Sequence, residues 1–332
     1  MTIQPLPPTR HDPHVVILGA GASRAAFPRG EKNGKKLPLM NDLIDALGLE
    51  PVLKEAGIEF KMKDFEALYS ELSVAGNRPD LLARIERTVF DYFARLELSD
   101  QPTLYDHLVL SLRSKDLIAT FNWDPFLTQA LYRIGKRFGE EALPSALYLH
   151  GNVAIGYCHK HEPPTLGVRG YSCGKCGSKL IQSKLLYPVA EKNYNQDPSI
   201  SISWDEVRRF LKHAFLLTIF GYRAPHTDAE AIALMKDAWG DVELRSLEQI
   251  EIIDIQSEDA LYDSWKTFIC RNHYYTWDDF YHSYAARYPR RSCENHFETY
   301  LQNNPQHERP IPRGENWDAI EAFINPLIEQ EV

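Results

Sequence analysis

The period of the apolar positions changes along the chain, and each change marks an element. Val15 to Leu18 is an unbroken aliphatic run entering Gly19-Ala-Gly21, which predicts a strand covered on both faces and ended by a turn. From Leu39 to Leu112 the period is helical: Leu43, Ile44 and Leu47, then Phe65 to Tyr69, then Leu81, Leu82, Ile85, Val89, Phe90 and Phe93. Pro79-Asp80 starts the third of these helices, and Asp100 with Pro102 starts another through Tyr105, Leu108 and Leu112. Short buried strands are predicted at Leu117–Phe121, Ala146–Leu149, Ala214–Phe220 and Ile250–Ile255, with a helix from Asp228 through Met235 to Trp239. Strands alternating with helices predict an α/β fold with a doubly wound parallel sheet and an inserted helical segment. The tail from Leu261 to Leu327 carries Trp265, Phe268, Tyr275, Trp277, Phe280 and Tyr284 and reads as two or three helices packed on the sheet or on a partner.

Composition narrows the class. With 332 residues, 44% of them hydrophobic, the chain can bury one large core or a core plus a satellite module. No run is apolar enough to span a bilayer, and the proline-rich start lacks a signal core, so the expectation is a cytoplasmic protein with no membrane partner. A formal charge of −9 argues against a protein whose main work is gripping nucleic-acid phosphates. Arg24 to Pro38, rich in Lys and Gly, reads as a mobile charged loop that can close over a ligand or simply be solvated. Cys270 and Cys293 are expected to stay free thiols, and His273, His282 and His296 to be surface or packing residues.

Polar groups recur where strands end. Gly19 and Gly21 permit positive φ and close approach of backbone N–H groups to a pyrophosphate, and Ser23 can cap a helix or touch a phosphate. The full G-x-G-x-x-G pattern is not met, since Arg24 takes the third glycine's place. Asn122 and Asp124 follow one strand, and His150 with Gly151 follows the next; in a parallel sheet such positions face the ligand crevice. Asp124-Pro125 is equally well explained as a helix start. Cys158-His-Lys-His161 and Cys173-Gly-Lys-Cys176 form two knuckles whose ligands Cys158, His161, Cys173 and Cys176 suit a structural tetrahedral Zn2+, with His159 the alternative to His161.

Taken in order, Gly19-Ala-Gly-Ala-Ser23, Thr120-Phe-Asn-Trp-Asp124, Leu149-His-Gly151, the paired knuckles and Phe220-Gly221 resemble the sirtuin family over residues 14–257. The chain is most similar to the bacterial sirtuin-like NAD hydrolases of anti-phage defence, whose asparagine motif commonly reads Thr-Phe-Asn-aromatic-Asp. The resemblance implies a Rossmann-like NAD-binding domain over 14–257 after an arm at 1–13. It places a helical insertion at 39–112 and a zinc ribbon at 152–185, and leaves 258–332 as a helical extension. It also implies that Gly19, Ala20, Gly21 and Ser23 face the cofactor phosphates. Asn122 and Asp124 would face the nicotinamide ribose and His150 its hydroxyls, with Gly221 and Gln256 beside the adenosine half. The implied reaction is hydrolysis of NAD+ to nicotinamide and ADP-ribose, with Asn122, Asp124 and His150 catalytic. The aromatic-rich tail beyond Gln256, more than a sheet of this size needs for cover, points to a homo-oligomer built partly from it, and a defence partner such as a hexameric ATPase is the implied associate.

Two departures from the deacylase pattern bear on the reaction. The glycine turn runs on as Ala25-Ala-Phe-Pro-Arg29, and the segment after the zinc module, expected to be a strand, reads Tyr187-Pro-Val-Ala-Glu191 where a deacylase has Phe-Gly-Glu. The first keeps a proline and an arginine of the deacylase segment and loses the rest; the second weakens acyl-lysine binding. An NAD-dependent lysine deacylase and a non-catalytic NAD or ADP-ribose sensor are the alternatives.

Overall fold

The computed structural model describes residues 8–58, 64–189, 194, 197–224, 228–245 and 247–331. β1 (His14–Leu18) passes through Gly19 into α1 (Ala20–Ala26). Five helices follow before the chain re-enters the sheet: α2 (Leu43–Ala46), α3 (Glu50–Glu55), α4 (Phe65–Ala75), α5 (Pro79–Phe93) and α6 (Leu104–Leu110). β2 (Leu117–Thr120), α7 (Phe126–Phe138) and β3 (Ser145–Tyr148) complete one half. A small antiparallel sheet comes next, from β4 (Ile155–Cys158), β5 (Thr165–Val168) and β6 (Ile181–Gln182). The second half is α8 (Pro198–His213), β7 (Leu216–Phe220), α9 (Ala229–Trp239), β8 (Gln249–Ile253), α10 (Glu258–Trp265) and β9 (Tyr274–Trp277). Helices α11 (Tyr284–Arg287), α12 (Ser292–Leu301) and α13 (Trp317–Glu329) close the chain.

The main sheet is parallel throughout, in the order β3-β2-β1-β7-β8-β9. The order reverses between β1 and β7, so the crevice of a doubly wound sheet opens at the carboxyl ends of these two strands. The alternation of β1 shows both faces covered. Val16 and Leu18 pack into the core built with α4, α5, α6, α7 and α13, whereas Val15 and Ile17 pack into the core built with α8, α9 and α10. The helical insertion therefore shares the first core instead of forming one of its own.

Several elements differ from the sequence expectation, each for a local reason. Helix α6 starts at a capping box of Thr103 and Asp106, not at Asp100. The strand expected to reach Ile255 stops at Ile253, where Asp254 accepts from the Gln256 N–H and turns the chain, leaving Ile255 exposed. Tyr187 to Val189 form no strand; Ala190 and Glu191 lie outside the described residues. Helix α8 was not anticipated, although Asp197 caps it and Ile200, Trp204, Val207 and Leu211 line one face. The 258–332 extension is not wholly helical: Tyr274-Tyr-Thr-Trp277 adds the sixth strand. Its aromatic residues do not form a surplus surface, since Trp265, Phe268, Phe280 and Tyr284 are buried within the chain.

Candidate active site at the carboxyl ends of the strands

The glycine turn is built for contact between backbones. Gly19 and Gly21 both avoid positive φ, contrary to expectation. A Cβ on Gly19 would meet the Gly221 carbonyl oxygen at 2.5 Å, and one on Gly21 would meet Gly221 Cα at 2.7 Å. Gly221 itself has φ +63°, and its hypothetical Cβ would lie 2.2 Å from the Ala22 nitrogen. The turns after β1 and β7 thus interlock. The Gly19 and Gly21 N–H groups donate to Phe220 O and Gly221 O, both at 2.9 Å, so they are spent inside the fold. Among the described residues the Ala20 N–H is the unpaired donor of the turn, and Ala20 is exposed.

Ser23 lies one turn further on, 3% exposed, and its hydroxyl is fully committed. It donates to Asp124 Oδ2 at 2.6 Å and accepts from the Tyr105 hydroxyl at 2.6 Å and from Asn122 Nδ2 at 3.0 Å. It neither caps a helix nor has a hydrogen left for a phosphate. Asn122 Nδ2 also donates to Gly19 O at 2.9 Å, while Asn122 Oδ1 accepts nothing among the described residues. Asp124 accepts from the Phe126 N–H at the start of α7 at 3.3 Å, but Pro125 and not Asp124 holds the N-cap position, one residue later than the helix-start reading had it. Burial pushes its carboxyl up to about 6 against the opposing pull of the Ser23 hydroxyl and the Phe126 N–H. Burial also holds the Tyr105 phenol well above its ordinary value.

His150 stands edge-on to Phe121, with ring centroids 4.7 Å apart, and Phe121 stacks on Tyr222 at 4.1 Å. Its Nε2 lies 3.7 Å from Asp228 Oδ1, and Asp228 Oδ2 accepts from the Tyr222 hydroxyl at 2.9 Å. Ala20, Ser23, Asn122, Asp124 and His150 line one pocket of about 70 Å3. Leu37, Pro38, Leu39 and Met40 cover it. The loop before them is not simply solvated charge. Glu31, 4% exposed, accepts from the N–H groups of Asn33, Lys35 and Glu97 and pins the loop over the pocket. Gly221 adjoins the pocket through the interlocked turns, whereas Gln256, beyond the end of β8, does not line it.

No protein-family model matches the chain, and no curated protein matches it. Among solved structures the chain is similar to Sir2 bound to an acetylated peptide, at 13% identity and a TM-score of 0.39 over 88% of this chain and 93% of that one. It is also similar to a Sir2 homologue in complex with NAD, at 14% identity and a TM-score of 0.34 over 87% of this chain and 88% of that one.

The metal knuckles converge. Cys158, His161, Cys173 and Cys176 place their ligand atoms within 4.8 Å of one another, which favours His161 over His159. Cys158 Sγ and Cys176 Sγ are 3.6 Å apart, and Cys173 Sγ and His161 Nε2 are 3.4 Å apart. A tetrahedral zinc with bonds of roughly 2.0–2.3 Å needs about such edges. Three thiol groups and one imidazole are also the donor set zinc prefers. Hydrogen bonds from Gly177 N to Cys173 O and from Cys173 N to Ser178 O, both 2.7 Å, shape the second knuckle.

Two site residues were missed in the sequence. Tyr105 sits on the helix preceding β2, and nothing in its apolar stripe distinguishes it from a packing residue. Asn152 is fully buried, and its Nδ2 donates to Asn122 O at 3.2 Å and Asp124 O at 2.6 Å, clamping the loop after β2 to the loop after β3. Its place two residues after His150 was the available signal.

Proposed function

We propose that this chain is a sirtuin-like NAD+ hydrolase that breaks the bond between nicotinamide and ribose. The observation that carries the reading is the convergence of Ser23, Asn122, Asp124 and His150 on one pocket at the carboxyl ends of β1, β2 and β3, beside the sheet's crevice. In this reaction water attacks the ribose C1, and the C–N bond breaks with its electron pair leaving on neutral nicotinamide. Positive charge develops on the ribose, and the water proton must depart. Asn122 suits the water: its nitrogen is fixed by Gly19 and Ser23, so Oδ1 is a preoriented acceptor. Asp124, anionic above about pH 6, balances the ribosyl charge, and His150 takes a ribose hydroxyl or the water's proton. The Ala20 N–H is the donor for a cofactor phosphate, with Gly221 and Gln256 toward the adenosine half. Zinc at Cys158, His161, Cys173 and Cys176 is structural. The antiviral role, the homo-oligomer and the hexameric ATPase partner belong to this same proposal, as does the cytoplasmic location, which rests on composition and not on the motif order.

Deacylation of lysine remains the second reading because of one feature. A cleft of about 870 Å3 lies between α5 and the zinc module, separated from the pocket by the Trp123 and Tyr187 rings, 5.1 Å apart. Incubation with NAD+, with and without an acetyl-lysine peptide, separates the two by product. In the first reading nicotinamide and ADP-ribose form without peptide, and Asn122→Ala and His150→Ala each lower the rate by about 10²–10³.

A further inference from the structure

Under the tail helices the parallel sheet carries a row of polar side chains that the proposed chemistry does not use. His14 of β1, Thr218 of β7 and Glu251 of β8 are all buried, and Glu251 stands between Ile250 and Ile252, opposite Thr218 in the register. Its Oε1 accepts from Trp277 Nε1 of β9 at 3.0 Å and from the Tyr284 N–H of α11 at 2.8 Å. Its Oε2 lies 3.1 Å from the Thr218 hydroxyl. The same hydroxyl is 2.7 Å from His14 Nε2, and His14 Nδ1 is 2.8 Å from the buried Ser292 hydroxyl at the start of α12. The row therefore begins and ends on the tail and crosses three strands of the sheet in between.

Each contact in the row needs one hydrogen, and the Thr218 hydroxyl owns a single one. Burial holds His14 down at about 4, so its imidazole is neutral at ordinary pH, with one nitrogen a donor and the other an acceptor. When Glu251 is a carboxylate, the Thr218 hydrogen goes to Oε2 and the Thr218 oxygen accepts from His14. His14 then carries its proton on Nε2, and Ser292 donates to Nδ1. When Glu251 is a carboxylic acid, its proton sits on Oε2, because Oε1 already takes two N–H donors. That proton points at Thr218, the Thr218 hydrogen turns to Nε2, and His14 carries its proton on Nδ1 and donates to Ser292. Any other arrangement sets two lone pairs or two hydrogens against each other across contacts of 2.7–3.1 Å. We propose that this row is a proton-linked switch: the gain of one proton from solvent by Glu251 moves the His14 proton from Nε2 to Nδ1 and reverses the hydrogen bond that fixes the start of α12 to the sheet. His14 keeps its neutral charge throughout.

The switch operates in the neutral range. Burial lifts the Glu251 carboxyl to about 7 against the pull of the Tyr284 N–H, the Trp277 and Thr218 side chains and the Arg287 guanidinium of α11. The other groups facing the row are Tyr284 of α11 and Tyr275 of β9 on the Glu251 side, and His296 of α12 with Lys115 and Asp116 before β2 on the His14 side. Because the Glu251 value is raised from 4.5, its stabilising share is full below about 4.5 and is lost as pH rises through about 7, so the acid form is the one that holds the tail more firmly.

The test reads the His14 tautomer by nitrogen–proton correlation NMR on the full chain, isotopically labelled at histidine, from about pH 5 to about pH 9, with the His14 signal identified by its loss in His14→Gln. The expected result is a neutral His14 that passes from Nδ1–H to Nε2–H as pH rises through about 7. Glu251→Gln keeps an acceptor for Trp277 and Tyr284 and offers Thr218 a permanent donor, so it should hold Nδ1–H at every pH. Thr218→Val cuts the row and should leave the tautomer indifferent to pH. A His14 tautomer that stays the same across the range in the parent overturns the proposal. So does a pH-dependent change that survives in either folded variant, and so does a His14 that takes up a second proton and becomes a cation over the same range.

Discussion

Ser23 is the hinge of the candidate site, because one hydroxyl ties Tyr105 of α6 to both Asn122 and Asp124 of the loop after β2. Its single hydrogen goes to Asp124 and its lone pairs take Tyr105 and Asn122, so removing any partner leaves a buried group unpaired. Position at a strand end, by itself, would leave the core intact when Asn122 is replaced; the bonds that its side chain makes change that. The Asn122 side chain holds Gly19 O and Ser23, and Asn122→Ala is expected to lose about 1–3 kcal/mol of stability as well as activity, so its rate has to be read at a temperature where it is folded. Asp124 carries a pH signature. Burial raises its carboxyl from 3.8 to about 6 in the folded chain, so between these values the native state binds more protons than the unfolded state. Its stabilising share is therefore full below about pH 4 and lost as pH rises through about 6. Asp124→Asn should unfold at a higher temperature than the parent at pH 8, with the gap closing toward pH 4; thermal melts across that range check it, and a gap that widens toward low pH would reverse the assigned sign. Activity moves the other way, since the carboxylate that the mechanism uses forms only above about pH 6.

Among the elements, the zinc module depends most on a group outside its own packing. Apart from Ile155, which packs into the main core, its buried apolar cluster is Cys158, Cys173 and Leu180, too little to hold three short strands. The metal's binding energy is then the module's folding energy. Cys173→Ser is expected to abolish stoichiometric zinc on metal analysis and to expose the 155–182 segment to protease while the parallel sheet stays folded; a metal-free variant with an intact module would refute a structural zinc. The interlocked glycine turns are the other demanding element. Gly221→Ala forces a β-carbon against the Ala22 nitrogen and strains a left-handed φ, so a loss of about 3 kcal/mol or more is expected in chemical denaturation. Both elements were legible in the sequence, the knuckles by spacing and the turn by its glycines, but the reason for the glycines was not. A strand-turn-helix pattern shows that close approach is needed and does not show what approaches, which here is a second turn some 200 residues away in the chain. The cap of α8 and the run of β9 are equally present in local sequence, but the first follows a polar stretch and the aromatic residues of the second fit helices and strands alike.

For the whole molecule, the order of apolar runs was enough to read a doubly wound parallel sheet, because strands buried on both faces leave little else for such runs to be. What could not be read was where the tail goes. Its aromatic residues looked like surplus surface, yet Trp265 and Phe268 cover one face of the sheet and Phe280 the other, while the buried Arg290 guanidinium ties the tail to Leu112 O, Ala142 O and Glu331. Long-range closure of this kind has no local sequence signature. The central claim is cleavage of NAD+ at the pocket between β1, β2 and β3, and it is tested most directly by product analysis after incubation of the purified chain with NAD+ alone. The account predicts nicotinamide and ADP-ribose in equal amounts without any acyl-lysine peptide, falling by about 10²–10³ in folded His150→Ala. Turnover that requires the peptide, or an unchanged rate in folded His150→Ala, would contradict it.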